Sequence, residues 1–180
     1  MSLPRANKDL GQHFLRDQNI IKKITDDFAG QAASILEVGP GPGILSERLA
    51  SHGIPYHVIE KDDRFPEYLS KFISEDQITL QDALTVDFEK LIADLKLESP
   101  IWMVSNLPYN VGTPLFVKFL QVPEIKFMSL MFQREVADKV IAIDTRKGKE
   151  MGSLMALSKN YFDVKLLCKV PPGAFSPPLR

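Results

Sequence analysis

Four short apolar, β-rich runs follow one another along this chain, and each stops at a residue whose chemistry is not that of packing. Ser34-Ile35-Leu36-Glu37-Val38 gives way to Gly39-Pro40-Gly41-Pro42-Gly43, and Tyr56-His57-Val58-Ile59 to Glu60. Ile78-Thr79-Leu80-Gln81 ends in Asp82-Ala83, and Ile101-Trp102-Met103-Val104-Ser105 in Asn106-Leu107-Pro108-Tyr109. A helical pattern through Ile44, Leu45, Leu49 and Ala50 follows the glycines, and another opens at Thr113-Pro114-Leu115. Apolar strands alternating with helices predict an α/β fold on a doubly wound, mostly parallel sheet. Such a sheet gathers the carboxyl ends of its strands around one crevice, so the four endings are expected to share a ligand site.

The endings differ in what they offer. Glycines after the first run let backbone approach a ligand closely, and Glu60, roughly twenty positions on, can accept both hydroxyls of a ribose. Asp82 can accept an adenine amino group, although an Asp after a strand also serves as a helix cap or turn residue. Together they point to an adenosine-bearing cofactor. Dinucleotide binding is the rival reading, but its fingerprint runs Gly-x-Gly-x-x-Gly, whereas this loop runs Gly-x-Gly-x-Gly with prolines between.

The tetrapeptide at 106–109 fits a harder task. The exocyclic amine of adenine is a poor nucleophile, because its lone pair is delocalised into the ring. The Asn106 side-chain carbonyl and a backbone carbonyl beside the rigid Pro108 can each accept one N–H, which returns density to that lone pair. Tyr109 offers a face for a base that has left its stack. Methylation of an adenine-like amine is the expected chemistry; a plain Asn/Pro turn between strand and helix is the alternative for the tetrapeptide taken alone.

Composition narrows the rest. With 180 residues, 44% hydrophobic and 25% charged, residues 1–180 suffice for one domain with a core. The amino terminus lacks a signal-peptide core and no run approaches the ~20 apolar residues of a membrane span, so a cytoplasmic, membrane-free protein is expected. The single cysteine, Cys168, excludes an internal disulfide, and Leu166, Leu167 and Val170 around it predict a buried thiol on a strand. No metal-ligand cluster stands out, and His52 and His57 read as structural. A net charge of −1 does not announce an RNA-binding protein, yet basic residues gather at Arg5, Lys8, Arg16, Lys22 and Lys23 and again at Lys139, Arg146, Lys147 and Lys149. Both groups suit phosphate contacts as well as ordinary solvated surface.

The chain resembles the ribosomal RNA adenine dimethyltransferases of the KsgA type, a Rossmann-like class I S-adenosylmethionine-dependent methyltransferase family. The resemblance rests on an ordered set: Gly11-Gln12-His13-Phe14-Leu15, Asp17-Gln18-Asn19-Ile20, Glu37 to Gly43, Glu60, Asp82-Ala83, Asn106 to Asn110, Gln133 to Ala137, and Pro171-Pro172-Gly173-Ala174-Phe175-Ser176-Pro177-Pro178. It implies that S-adenosyl-L-methionine is the methyl donor and that His13, Leu15, Gly39, Gly41, Glu60, Asp82, Ala83 and Asn106 line its site. It implies also that Phe175 joins Tyr109 in holding the target base, within a catalytic set of Asn106, Leu107, Pro108, Tyr109 and Phe175. Position 13 departs mildly, since the family often has Asn there. The implied substrate is a pair of adjacent adenosines near the 3′ end of small-subunit rRNA, in a pre-ribosomal particle and with no obligate protein partner. A large-subunit methyltransferase of the macrolide-resistance type and a noncatalytic nucleic-acid-binding factor of the same fold remain open.

Further expectations concern the flanks. Asp17 caps a helix through Ile20, Ile21 and Ile24, preceded by an arm at Gln12 to Leu15, within an amino-terminal unit of residues 1–25. Lys126 to Phe132 reads as a fifth strand, followed by helices from Arg134 to Ile143 and from Ser153 to Asn160 with a loop between them. Tyr161 to Val170 reads as a strand. In the family another strand and a small helical domain follow the Pro-rich stretch at 171–180, so this chain reads as the catalytic domain alone. Without a hairpin partner, that end is expected to leave an open edge, displacing Phe175.

Overall fold

The protein is described by a computed structural model over residues 14–107, 111–141 and 152–176. Its strands, in chain order, are β1 (Phe14–Leu15), β2 (Ser34–Val38), β3 (Tyr56–Glu60), β4 (Ile78–Leu80), β5 (Ile101–Asn106), β6 (Ile125–Met131) and β7 (Phe175–Ser176). The helices are α1 (Gln18–Thr25), α2 (Ser46–Ala50), α3 (Pro66–Leu69), α4 (Phe88–Leu95), α5 (Gly112–Leu120), α6 (Arg134–Ile141) and α7 (Ser153–Tyr161).

Five strands form one parallel sheet in the order β4-β3-β2-β5-β6. The chain leaves β2 in one direction, through β3 to β4, and returns to the other side for β5 and β6. The reversal falls between β2 and β5, where a doubly wound sheet opens its crevice. Successive residues point to opposite faces, and two apolar layers result. Ile35, Tyr56, Val58, Trp102 and Val104 pack with Ile21 and Ile24 of α1, Leu49 of α2 and Leu69 of α3. Leu36, Val38, Ile59, Ile101 and Met103 pack with Phe88 and Ile92 of α4 and with Leu115 and Phe119 of α5. Burial on both faces explains why these strands read as continuous apolar runs.

Helix starts follow local chemistry. Asp17 Oδ1 accepts the amide hydrogens of Asn19 and Ile20 at 2.9 and 3.2 Å, capping α1 as expected. Asp87 caps α4 through Lys90 N at 3.0 Å. α6 runs to Ile141, and positions 142 and 143 of the expected helix lie outside the described residues. Both histidines are internally engaged: His52 Nε2 donates to the Thr25 carbonyl at 2.6 Å, and His57 Nε2 lies 2.8 Å from Thr79 Oγ1.

Two expectations at the carboxyl end are corrected. Residues 162–170 form no strand: α7 extends to Tyr161, and the segment after it makes no ladder with β6, the sheet's edge. Alternation in that segment reports which side chains are apolar; Leu167 and Val170 do pack against the core, but a strand also needs backbone partners. Cys168 is accordingly half-buried in an unpaired segment rather than buried on a strand. Phe175 is not displaced, because β7 pairs antiparallel with β1 and both strands are satisfied by each other.

One acid sits where apolar residues belong. Glu37, in the middle of β2, is 2% exposed, and its Oε2 accepts Ser46 Oγ at 2.8 Å and the Tyr56 hydroxyl. Burial pushes this carboxyl up from 4.5 to about 7, whereas burial pushes His57 down from 6.5 to about 4. A raised carboxyl gives stability that is full below about 4.5 and fades as pH rises to about 7. A depressed imidazole gives stability that is full above about 6.5 and fades as pH falls to about 4. The two slopes oppose each other between about 4.5 and 6.5. Glu37→Gln removes the first, so its unfolding free energy relative to wild type, followed by urea titration, should climb between about pH 4.5 and 7 by on the order of 3 kcal/mol. Parallel pH profiles for the two proteins would contradict this.

Candidate functional site

The loop after β2 is shaped by three glycines at positive φ, +68° at Gly39, +56° at Gly41 and +87° at Gly43. At Gly43 a Cβ would lie 2.9 Å from the Phe72 ring, so both backbone and space demand glycine. The loop's ends are tied together by the Ser46–Glu37 bond, and its middle is held by Gly41 N donating to Glu60 Oε2 at 2.9 Å.

Glu60 closes β3 and is 6% exposed. Its Oε1 accepts the amide hydrogens of Lys61 and Asp62, each at 2.8 Å. Burial raises this carboxyl above its ordinary value, and the amide hydrogens of Asp62, Gly41 and Lys61 partly offset the rise. An ionised carboxylate offers about four acceptor positions, of which the backbone here takes three. Glu60 therefore fixes the loop and keeps one position for a hydroxyl; accepting two requires Gly41 to let go.

β4 pairs with β3 so that Leu80 stands opposite Glu60, which brings Asp82 and Lys61 together just beyond the strand ends. Asp82 Oδ2 accepts Lys61 Nζ at 2.8 Å, while Oδ1 accepts Leu84 N at 3.0 Å. The Lys61 hydrogen bond, followed by the Leu84 amide, holds the Asp82 carboxyl below its ordinary value. The turn-residue role weighed from sequence is thus real: Oδ1 takes the turn's amide and Oδ2 takes the Lys61 ammonium. Ala83 beside it is buried in the core.

Asn106, half-buried, is the last residue of β5 and pairs with Met131 of β6. Leu107 N then donates to the Met131 carbonyl at 3.1 Å, and the Leu107 side chain, 4% exposed, packs with Leu115 and Phe119. Leu107 thus anchors the motif in the core by its side chain. Pro108, Tyr109, Asn110 and His13 lie outside the described residues, as do Arg5, Lys8, Arg146, Lys147 and Lys149 of the basic groups.

The arm and the Pro-rich end meet over the loop. Leu15 pairs with Phe175 and Phe14 with Ser176, and Arg16 N donates to the Ala174 carbonyl at 2.7 Å. Leu15 and Phe175 are 3% and 7% exposed. Phe14 stands edge-on to Phe65 at 6.3 Å, and its ring lies 3.8 Å from where a Gly41 Cβ would be. Phe175 is thereby tied through β1 to the glycine loop.

A continuous cleft of about 2330 Å³ is lined by Leu15, Gly39, Gly41, Glu60, Asp82, Ala83, Asn106, Leu107 and Phe175, every candidate that falls within the described residues. His52 and His57 do not line it. Lys61 does, and sequence reasoning passed over it; the parallel register of β3 and β4 is the signal that pairs it with Asp82. Tyr56 and Ser46, which hold Glu37, carry no sequence signal of that role.

Residues 4–179 match the family described as "Ribosomal RNA adenine dimethylase". The chain is 40% identical over 178 residues to the Ribosomal RNA small subunit methyltransferase A of Phenylobacterium zucineum (strain HLK1), covering 96% of this chain and 60% of that protein's length. A crystal structure of a dimethyladenosine transferase from Plasmodium falciparum superposes with a TM-score of 0.74 at 25% identity, over 93% of this chain and 60% of that one. The 23S rRNA methyltransferase ErmE is 28% identical with a TM-score of 0.53, over 72% of this chain and 51% of that one. Among the described residues, no helix is long and apolar enough to cross a membrane. The chain belongs to the ribosomal RNA adenine dimethylase family.

Proposed function

We propose that this chain is the catalytic part of an enzyme that transfers methyl groups from S-adenosyl-L-methionine to the exocyclic amines of two adjacent adenosines near the 3′ end of small-subunit rRNA. The observation that carries the reading is the gathering of Glu60, Asp82 and Asn106 at or just past the ends of β3, β4 and β5 around one cleft, which Phe175 also lines. Glu60 and the glycine loop hold the ribose of the cofactor, Asp82 its adenine amine, and Leu15 and His13 the arm's side. The cofactor supplies an electrophilic methyl group.

The chain's own groups prepare the acceptor. Asn106 and a backbone carbonyl beside Pro108 accept the two N–H groups of the target amine, so its lone pair turns outward. Tyr109 and Phe175 hold the base between their rings, which offsets part of the cost of unstacking it. The proton leaves after methyl transfer, when the amine has become acidic, and neither His52 nor His57 is needed as a base. Two methylations require that a methylated amine fit again with its remaining N–H on an acceptor, so the shape of the cleft governs product number. The substrate is taken as rRNA within a pre-ribosomal particle, in the cytoplasm.

A large-subunit substrate is the second reading, favoured by the likeness to ErmE. The higher identity and coverage of the small-subunit relative favour the first. Incubation with labelled S-adenosylmethionine and small- or large-subunit particles lacking adenine methylation, followed by nucleoside mapping, separates them. Dimethyladenosine in the small-subunit RNA is expected; labelling of the large subunit alone would favour the second reading, and labelling of neither would favour a noncatalytic binding role.

Two variants test the assigned residues. Asn106→Ala removes one acceptor and should slow methyl transfer at saturating cofactor by at least about 100-fold, the scale of losing one preorganised hydrogen-bonding group. Glu60→Gln replaces two acceptor oxygens by one acceptor and one donor that opposes backbone N–H groups. S-adenosylmethionine affinity measured by calorimetry should fall at least about tenfold. An unchanged dissociation constant would remove Glu60 from the cofactor site.

A further inference from the structure

The reading of the cleft as an adenosine site leaves one contact without a role, the Lys61–Asp82 ion pair at 2.8 Å. We propose that Lys61 is a specificity latch on the adenine end of the cleft: its ammonium and an adenine amino group are alternative donors to Asp82 Oδ2. This inference rests on the adenosine reading above and adds to it a residue that decides how readily the adenine is admitted.

Asp82 has acceptor positions beyond those that Lys61 and Leu84 N fill, so the competition is for space on the cleft side rather than for lone pairs, and three features bear on it. The far side of Asp82 is closed by its own turn, with Leu84 N on Oδ1 at 3.0 Å and with Thr85 N and Thr85 Oγ1 each on the Asp82 carbonyl at 2.8 Å. Asp82 and Lys61 both line the cleft, so a donor arriving there meets Oδ2 with the ammonium already on it. Lys61 starts from a fixed point, since its backbone N–H is bonded to the buried Glu60 at 2.8 Å. Its side chain therefore runs from the ribose-type acid to the adenine-type acid, along the path the adenosine would occupy. The other cation that acts on Asp82, Lys118, is committed elsewhere: its Nζ donates to the Leu84 carbonyl at 2.7 Å and lies 5.5 Å from the centre of the Phe88 ring.

The latch is a light one. Lys61 and Asp82 side chains are 61% and 34% exposed, so water screens the pair and its opening costs little. A two- to about fivefold effect on binding is the scale to expect. The latch also discriminates, because a purine without an amino group in this place brings no replacement donor for the carboxylate it uncovers.

The test uses 5′-methylthioadenosine, which carries the adenine and ribose without the charges of methionine, so salt dependence reports on the protein's own ion pair. Calorimetry on the wild-type chain should give an affinity that rises as sodium chloride increases from about 50 to 500 mM, the range over which an exposed pair is screened. Lys61→Met keeps the stem and removes the ammonium; it should bind about two- to fivefold more tightly at low salt and lose the salt dependence. Lys61→Arg keeps a donor and should stay within twofold of wild type. Equal or weaker binding by Lys61→Met, with wild type binding normally, would overturn the latch and leave the adenosine site standing. Failure of wild type to bind either 5′-methylthioadenosine or S-adenosylmethionine would overturn both.

Discussion

A carboxyl group in the centre of a buried strand has to be satisfied, and the way Glu37 is satisfied determines where the site's loop can go. Ser46 donates to it from the first turn of α2 and Tyr56 from β3. An unpaired acid at this depth would cost several kcal/mol, so these two partners are structural necessities. Their effect is local and specific. The loop from Gly39 to Leu45 leaves β2 and enters α2 with both ends pinned to one carboxyl, while Glu60 pins its middle through Gly41 N. Two acids on adjacent strands, one fully internal and one at the rim, thus shape the loop that the cleft is built around.

The strand endings were legible from sequence because a parallel sheet makes them so. A strand buried on both faces is mostly apolar until it emerges, so a polar residue that closes the run marks the rim, even where a satisfied Glu37 or His57 lies inside. Glu60, Asp82 and Asn106 announce themselves in this way, and all three line the cleft. What stayed hidden needed pairing information. The β1·β7 ladder joins pairs of residues far apart in the chain, too short to show any period. The alternation at 162–170 misled for the opposite reason: a period describes side chains, and a strand is made by backbone partners. Lys61 carries no signal in the sequence; only the register of β3 and β4 places a second acid within its reach.

Charge follows the same division between sum and placement. The net charge is −1, which argues against a nucleic-acid surface when taken as a sum. Placement is more informative, since several acids that help reach −1 are engaged by the fold: Glu37 in the core, Glu60 on backbone amides, and nearer the surface Asp82 on Lys61 and Asp17 on the start of α1. Lys22 and Lys23 on α1 remain exposed. A protein can thus present cations outward while its formal charge stays near zero.

The ladder between β1 and β7 also sets an order of events in the making of the molecule. Its two strands are separated by nearly the whole chain, and closing so large a loop is entropically worthwhile only after the sheet has shortened the distance. Phe175 is therefore among the last residues to find its place. On a ribosome, the sheet strands through β6 emerge before β7 does, so they can pair before Phe175 is available. The cleft is finished last, when β7 pairs with β1 beside it.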